Sequence, residues 1–326
     1  MRVFSLFSGI GAFEKALENI GIDFELVGFS EIDKYAINSY CAIHSVSKEL
    51  NYGDITKIDI DILPKDIDLL VHGSPCTDYS LAGKNLGGDK DSGTRSSLMW
   101  YSVDIIRKRL PKIIVWENVP NVLSKKHIHN FEKYMSDLSE LGYNHIYVVL
   151  NSKYFGVPQS RDRLFCVSVL GKEIDFDFYR DYSNITFEDY VKVKDILECP
   201  DKIEEHMWMR RNVYQEREYN NKEIICVGQS SSKGSQAGKV FSIEGLFPTL
   251  CACTHGYALG YIEIGGKYRK LTPIETFKMM GFTEEDCKKC MKLGTSETQL
   301  YKQAGNSIVV PVLEFIFKRI YKLDNI

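Results

Sequence analysis

No part of the sequence reaches the roughly 18 consecutive apolar residues that a membrane-crossing helix requires. The opening stretch MRVFSLFSGIGAFEKAL also lacks the small-residue exit of a cleavable signal before charges resume. Together these absences predict a cytoplasmic protein with no membrane partner. Nine cysteines in 326 residues show no short regular spacing, which argues against a disulfide framework and for free thiols. Also missing is the basic excess that usually marks a nucleic-acid binder, since the formal net charge is -3. The basic stretches at 107–112, 210–211, 267–270 and 318–319 are short enough to be ordinary solvated surface. No internal repeat, no long low-complexity tract and no His-Glu-x-x-His spacing is present.

What is present is a rhythm. Short apolar runs at 2–7, 24–31, 67–72, 113–117 and 144–150 alternate with amphipathic stretches at 12–19, 34–44, 98–109 and 128–141. This βαβ alternation predicts an α/β fold built on a doubly wound, mostly parallel sheet. Beyond Leu170 the pattern weakens, and the Ser/Gly-rich stretch 228–238 reads as an exposed loop. Helical periodicity returns at 273–280 and 309–323. A second, smaller domain is expected over 179–294, with 1–178 and 295–326 forming the first.

Open parallel sheets gather ligands at the carboxyl ends of their strands. The first predicted strand runs into Ser8-Gly9-Ile10-Gly11, whose glycines let a ligand approach the backbone closely. Glu14 stands where the third glycine of a dinucleotide fingerprint belongs, which disfavours a nicotinamide cofactor. Glu31 ends the second strand at a spacing suited to ribose hydroxyls. Asp54 is placed to meet an adenine amino group, although Asp after Gly is more often a turn former. A nucleoside without a pyrophosphate fits all three.

The third strand leads into Gly73-Ser74-Pro75-Cys76-Thr77-Asp78-Tyr79-Ser80. A lone cysteine is usually a small buried hydrophobe, but this one sits in a loop stiffened by proline, so Cys76 is a candidate nucleophile. Its thiol needs a pKa below the usual value of about 8.5. The fourth strand delivers Glu117-Asn118-Val119-Pro120 to the same edge, and an acid after four apolar residues is costly to bury without a partner. Arg161 and Arg163 alternate within Gln159 to Arg163, so both would point to one side of an extended segment. They suit an anionic ligand, or salt bridges with Asp162 and its neighbours.

In this order the motifs resemble the cytosine-C5 DNA methyltransferases of bacterial or phage type. FSLFSGIG at 4–11 is similar to the cofactor-binding motif, Gly73 to Ser80 to the Pro-Cys motif, and Glu117 to Val119 to the Glu-Asn-Val motif. Gln159 to Arg163 resembles the Gln-x-Arg-x-Arg motif. KLTPIETFKMMGF at 270–282 and QAGNSIV at 303–309 resemble the motifs after the variable region. Six blocks in family order cover nearly the whole chain. Thr77 departs from the common Gln after Pro-Cys, and the variable region is short.

The resemblance implies an S-adenosylmethionine-dependent methyltransferase fold, with 179–294 as target-recognition domain and hinge. It implies that Cys76 adds to carbon 6 of a cytosine flipped out of duplex DNA. Glu117, with a raised pKa, would donate to ring nitrogen 3, while Arg161 and Arg163 hold the base's carbonyl oxygen and the carboxylate. The product would be S-adenosylhomocysteine, with no metal. For the cofactor it implies Phe7 on the adenine, Ser8, Gly9 and Gly11 at the methionine part, Glu31 and Ile32 at the ribose end, and Asp54 with Ile55 framing the adenine. Pro75, Asn306, Ser307 and Val309 complete that set. The glycine-bearing stretch 77–97 has the composition of a mobile lid. Ser80, Gln229, Ser231, Lys233 and Gln236 are candidates for DNA contact. A monomer acting on double-stranded DNA, with a restriction endonuclease as further partner, is expected. The Cys-Phe-Thr signature of transfer-RNA-specific relatives is missing from the variable region, and the intact set Cys76, Glu117, Arg161 and Arg163 disfavours an inactive DNA-binding regulator. Cys251-x-Cys253 and Cys287-x-x-Cys290 lack the spacing of a familiar zinc module.

Overall fold

A computed structural model describes the chain except residues 80–85, 211–212, 214–221, 231–235, 254–255 and 324–326. The chain forms two compact units, Met1–Leu150 with Asp162–Tyr179 and Leu313–Ile326, and Asn151–Arg161 with Arg180–Val312. The second unit thus also takes 151–161 and 295–312, outside the expected 179–294. Gln159 and Arg161 hydrogen-bond to its Met279, Leu250 and Gly305 carbonyls, and its helices α5 and α7, defined below, pack together.

The first unit is built on a six-stranded sheet of β1 (Arg2–Leu6), β2 (Glu25–Ser30), β3 (Leu69–His72), β4 (Ile113–Asn118), β5 (Tyr143–Asn151) and β7 (Asp162–Leu170). The two-residue β6 (Gln159–Ser160) belongs to the second unit. The sheet order is β2-β1-β3-β4-β7-β5. β1, β2, β3 and β4 pair in parallel, while β7 runs antiparallel to β4. The mostly parallel α/β sheet is as expected. The unforeseen element is β7, whose run LFCVSVL is apolar but for Ser168 and whose central residues are buried.

Alternate strand residues supply the core, as a two-residue side-chain period requires. Phe4, Leu6, Leu70, Ile114, Trp116, Leu164 and Cys166 face one cluster with α3 (Met99–Arg109) and α4 (Ile128–Ser139), which contribute Trp100, Ile106, Phe131 and Tyr134. On α1 (Ala12–Asn19), Phe13 packs edge-on against Phe317 of α8 (Val310–Tyr321). Phe29 of β2 stacks on Tyr40 of α2 (Lys34–His44). Asp33 caps α2 by accepting from the amides of Tyr35 and Ala36.

The second unit holds a four-stranded sheet of order β12-β11-β9-β8, made of β8 (Cys226–Gln229), β9 (Lys239–Ser242), β11 (Tyr261–Ile264) and β12 (Lys267–Arg269). β10 (Phe247–Pro248) pairs in parallel with β6. The helices α5 (Pro273–Met279), α6 (Glu284–Lys292) and α7 (Glu297–Asn306) follow. Thr272 and Thr283 open α5 and α6 with capping boxes to Glu275 and Asp286. No helix among the described residues is long and apolar enough to cross a membrane.

Candidate active site

Strand register brings the motif residues to one edge. Leu6 pairs with Ser30 and with His72, and His72 pairs with Trp116. The turns carrying Phe7 to Gly11, Glu31, Gly73 to Cys76 and Glu117-Asn118 therefore leave the sheet side by side. β1 lies between β2 and β3, so the chain reverses its winding direction there, and a crevice opens at such a switch point. Because β7 is antiparallel, with Asn118 opposite Leu164, it begins at this edge and brings Arg163 with it.

The cysteine loop is held by two side chains that sequence reading left in the strand core or passed over. The Trp116 indole donates to Ser74 Oγ at 3.0 Å, and the Asn118 amide donates to the same oxygen at 3.2 Å and to the Ser74 carbonyl at 3.3 Å. Cys76 follows two residues later, half-buried, with its carbonyl accepting from Tyr79 N at 3.0 Å. Under the loop, His72 lies flat against Trp116 and meets the Tyr134 hydroxyl at 3.0 Å. Burial holds His72 neutral, with its pKa pulled down to about 3.

Glu117 is 8% exposed and pairs with Arg163, Nε to Oε1 at 2.9 Å. Arg161 takes a different course. Buried at 4% exposure, it donates to the carbonyls of Leu250, Gly305 and Ser307 at 3.0, 3.1 and 3.0 Å. The two arginines thus do not converge on one ligand, because Arg161 is drawn into the main-chain oxygens of its own unit. Gln159 is likewise buried there, donating to the Met279 carbonyl and accepting from Leu250 N at 2.9 Å.

At the first two strand ends, Glu31 accepts from the amides of Gly9, Ile32 and Asp33 at 2.8 to 2.9 Å. A carboxylate has about four lone-pair directions, so these bonds fix its orientation and leave little further capacity. Asn51, for which the sequence offers no signal, clamps the turn by accepting from Glu31 N and Gly53 N and donating to the Glu31 carbonyl. Phe7 is half-buried with φ 53, and Gly9 with φ 56. Open space lies where a Gly9 side chain would stand, whereas the space beside Gly11 is filled by His44 and Tyr40. The missing side chain at Gly11 therefore makes room for His44 and Tyr40 of α2. Asp54 accepts from Thr56 N and Oγ1, and those bonds lower its pKa. It acts as the turn former that its neighbour Gly53 suggested. Ile55 is buried, while Ile32 stands 68% exposed beside Glu31.

Asn306 is the exposed last residue of α7, with Ser307 and Val309 buried after it. Of the DNA-contact candidates, Ser80, Ser231 and Lys233 lie outside the described residues. Gln229 is buried at the end of β8, and Gln236 donates to the carbonyls of Thr249 and Leu259. The expected lid is tied down on both sides of 80–85. Asp78 and Ser96 exchange hydrogen bonds, Gly87 N bonds the Asp78 carbonyl, Trp100 donates to the Gly88 carbonyl, and Asp89 accepts from His129 and Asn130. Among the described residues no group of three or more His, Cys, Asp or Glu is placed to hold a metal.

A twisted sheet with open glycine and carboxylate turns at one edge is the S-adenosylmethionine-dependent methyltransferase fold. Solved structures agree: the S. pombe Dnmt2 methyltransferase superposes with a TM-score of 0.73 at 19% identity, covering 99% of both chains. The Entamoeba histolytica methyltransferase EhMeth gives 0.73 at 16% identity, covering 99% of this chain and 98% of that one. The family model described as C-5 cytosine-specific DNA methylase matches residues 1–322. The type II methyltransferase M2.ScrFI of Lactococcus lactis subsp. cremoris is 33% identical over 99% of each chain. The orphan methyltransferase M.SPRI of Bacillus phage SPR is 32% identical over 98% of this chain and 97% of its own. The chain belongs to the C-5 cytosine-specific DNA methylase family and is a DNA (cytosine-5-)-methyltransferase.

Proposed function

We propose that the enzyme methylates cytosines flipped out of duplex DNA through a covalent bond from Cys76 to ring carbon 6. The observation carrying this reading is the shared sheet edge, where the Ser74-anchored cysteine loop and the Glu117–Arg163 pair emerge from adjacent strands. Cytosine carbon 5 is too weak a nucleophile to attack a methyl group directly. Addition of the Cys76 thiolate at carbon 6 pushes electrons toward ring nitrogen 3 and makes carbon 5 an enamine carbon. Glu117 in its acid form supplies the proton at nitrogen 3. Arg163 fixes the Glu117 carboxyl and holds the base's carbonyl oxygen, a task suited to a planar fork of donors. Arg161 works through the main chain, as a positioning residue for Leu250 and for 305–307. Loss of the proton from carbon 5 then expels Cys76.

S-adenosylmethionine, when bound, supplies an electrophilic methyl group on a sulfonium. The residues around Gly9 fit that group, with open space above the glycine, a fixed carboxylate at Glu31 and an exposed apolar Ile32 beside it. Unpairing and extruding the base costs on the order of a few kcal/mol, which contacts from the second unit would offset. A cognate restriction endonuclease is the proposed partner, following the type II name of the Lactococcus relative.

Labelled methyl incorporation into duplex DNA and into transfer RNA tests the substrate and the nucleophile together. The expected result is labelling of duplex DNA alone, abolished in Cys76→Ala. Exclusive labelling of RNA would overturn the substrate, and an active Cys76→Ala enzyme would overturn the nucleophile.

A further inference from the structure

The second unit carries a thiol pair that the methyl-transfer chemistry does not use. Cys251 Sγ and Cys253 Sγ lie 4.0 Å apart, sharing a hydrogen bond. Cys251 is exposed, whereas Cys253 is buried at 3% exposure with φ 48. The backbone that bears them is pinned. Leu250 bonds Gln159 through its amide and Arg161 through its carbonyl, and the Cys251 carbonyl presses where a side chain on Gly305 would stand, 2.1 Å from that position. Ala258 holds the sulfurs from the other side, donating to Cys253 at 3.5 Å and facing Cys251 with its carbonyl at 3.7 Å. A disulfide needs its sulfurs about 2.05 Å apart, so closure must bring them about 2 Å nearer than they stand. The hydrogen bond from Cys253 lowers the Cys251 pKa to about 6, while that of Cys253 is pushed far up. The more acidic thiol of the pair is thus the exposed one.

We propose that Cys251 and Cys253 form a redox-modification site that takes a low-molecular-weight disulfide of the glutathione class and closes to an internal disulfide. The Cys251 thiolate attacks one sulfur of the small disulfide, forming a mixed disulfide and releasing one glutathione thiolate. Cys253 loses its proton to solvent and attacks the Cys251 sulfur, releasing the second glutathione thiolate. Two protein thiols are oxidised and one small disulfide is reduced to two thiols. Closure strains a backbone already at positive φ and pulls on the segment whose Leu250 carbonyl holds Arg161.

The test incubates the wild-type enzyme, Cys251→Ser and Cys253→Ser with oxidised glutathione, caps free thiols with iodoacetamide and measures the tryptic peptide 240–267 by mass spectrometry. The expected wild-type peptide carries no cap and weighs about 2 Da less than the reduced, uncapped peptide, a change that dithiothreitol reverses. Cys253→Ser is expected to accumulate a lasting mixed disulfide at Cys251, and Cys251→Ser to leave Cys253 unglutathionylated. A lasting mixed disulfide in the wild type would overturn the proposal. So would capping of Cys251 no faster than of the exposed Cys199, with no internal disulfide formed.

Discussion

Each of the two units holds an arginine–carboxylate pair, and the two pairs are built differently. Arg269 and Glu275 are sealed, with side chains 1% and 0% exposed. They meet through two parallel bonds of 2.7 and 2.8 Å, and Glu275 also takes the Thr272 and Glu198 amides. Arg163 Nε meets Glu117 Oε1 at 2.9 Å, with side chains still 15% and 11% exposed. The sealed pair ties β12 to α5 by a bidentate fork whose partners are all internal. The open pair sits at the sheet edge and stays partly exposed. The same pairing thus does two jobs, set by how deeply each pair is buried.

Substitution at both sites is the sharpest way to break this contrast. Glu117→Gln removes the proton donor but keeps the shape, and should lower the methylation rate about 10²- to 10⁴-fold with the melting temperature little changed. Rate assays beside thermal melts decide it, and a large loss of stability would place the open pair in the same class as the sealed one. Glu275→Gln should do the reverse, costing about 3–5 kcal/mol of stability by leaving Arg269 uncompensated in a dry interior. Denaturant titration checks this, and a shift under about 1 kcal/mol would mean that water reaches the pair.

A smaller effect sharpens the picture below the cysteine loop. His72 titrates near 6.5 when unfolded and at about 3 when folded, so the unfolded chain binds the extra proton between those values. Its share of stability is full above pH 6.5 and drains as pH falls toward 3, by about 1.4 kcal/mol per unit. His72→Phe should show an acid slope shallower by that amount, or about 2 kcal/mol between pH 6.5 and 5. Equal slopes in urea melts at these pH values would show that the floor of the loop is wet.

The first unit was legible because its strands and helices are regular. The helices at 12–19 and 34–44 were read to their ends, since their apolar spacing is unbroken. The motif residues follow apolar runs whose ends are marked locally in the sequence. Much of the second unit was not legible, because its strands are two to four residues long and too short for alternation to register. α7 was missed, and α6 was read only as a lysine-rich helical stretch, since Cys287 and Cys290 are its only buried thiols among charges. In the site itself, Cys76, Glu117 and Arg163 were read from their motifs. Trp116 read only as an apolar strand residue, because its bond to Ser74 spans 42 residues. The convergence expected of Arg161 and Arg163 assumed one extended segment, but their partners lie far apart in sequence.

Covalent trapping is the most direct measurement of whether the open edge does the chemistry assigned to it. Duplex DNA carrying 5-fluorocytosine at cognate sites cannot shed fluorine as a proton would leave, so methyl transfer in the presence of donor should freeze the adduct. A denaturant-resistant complex should form, with the base attached to the peptide bearing Cys76 and no complex in Cys76→Ala. Active enzyme that methylates ordinary cytosine yet leaves the fluorinated duplex unbound would contradict the covalent route.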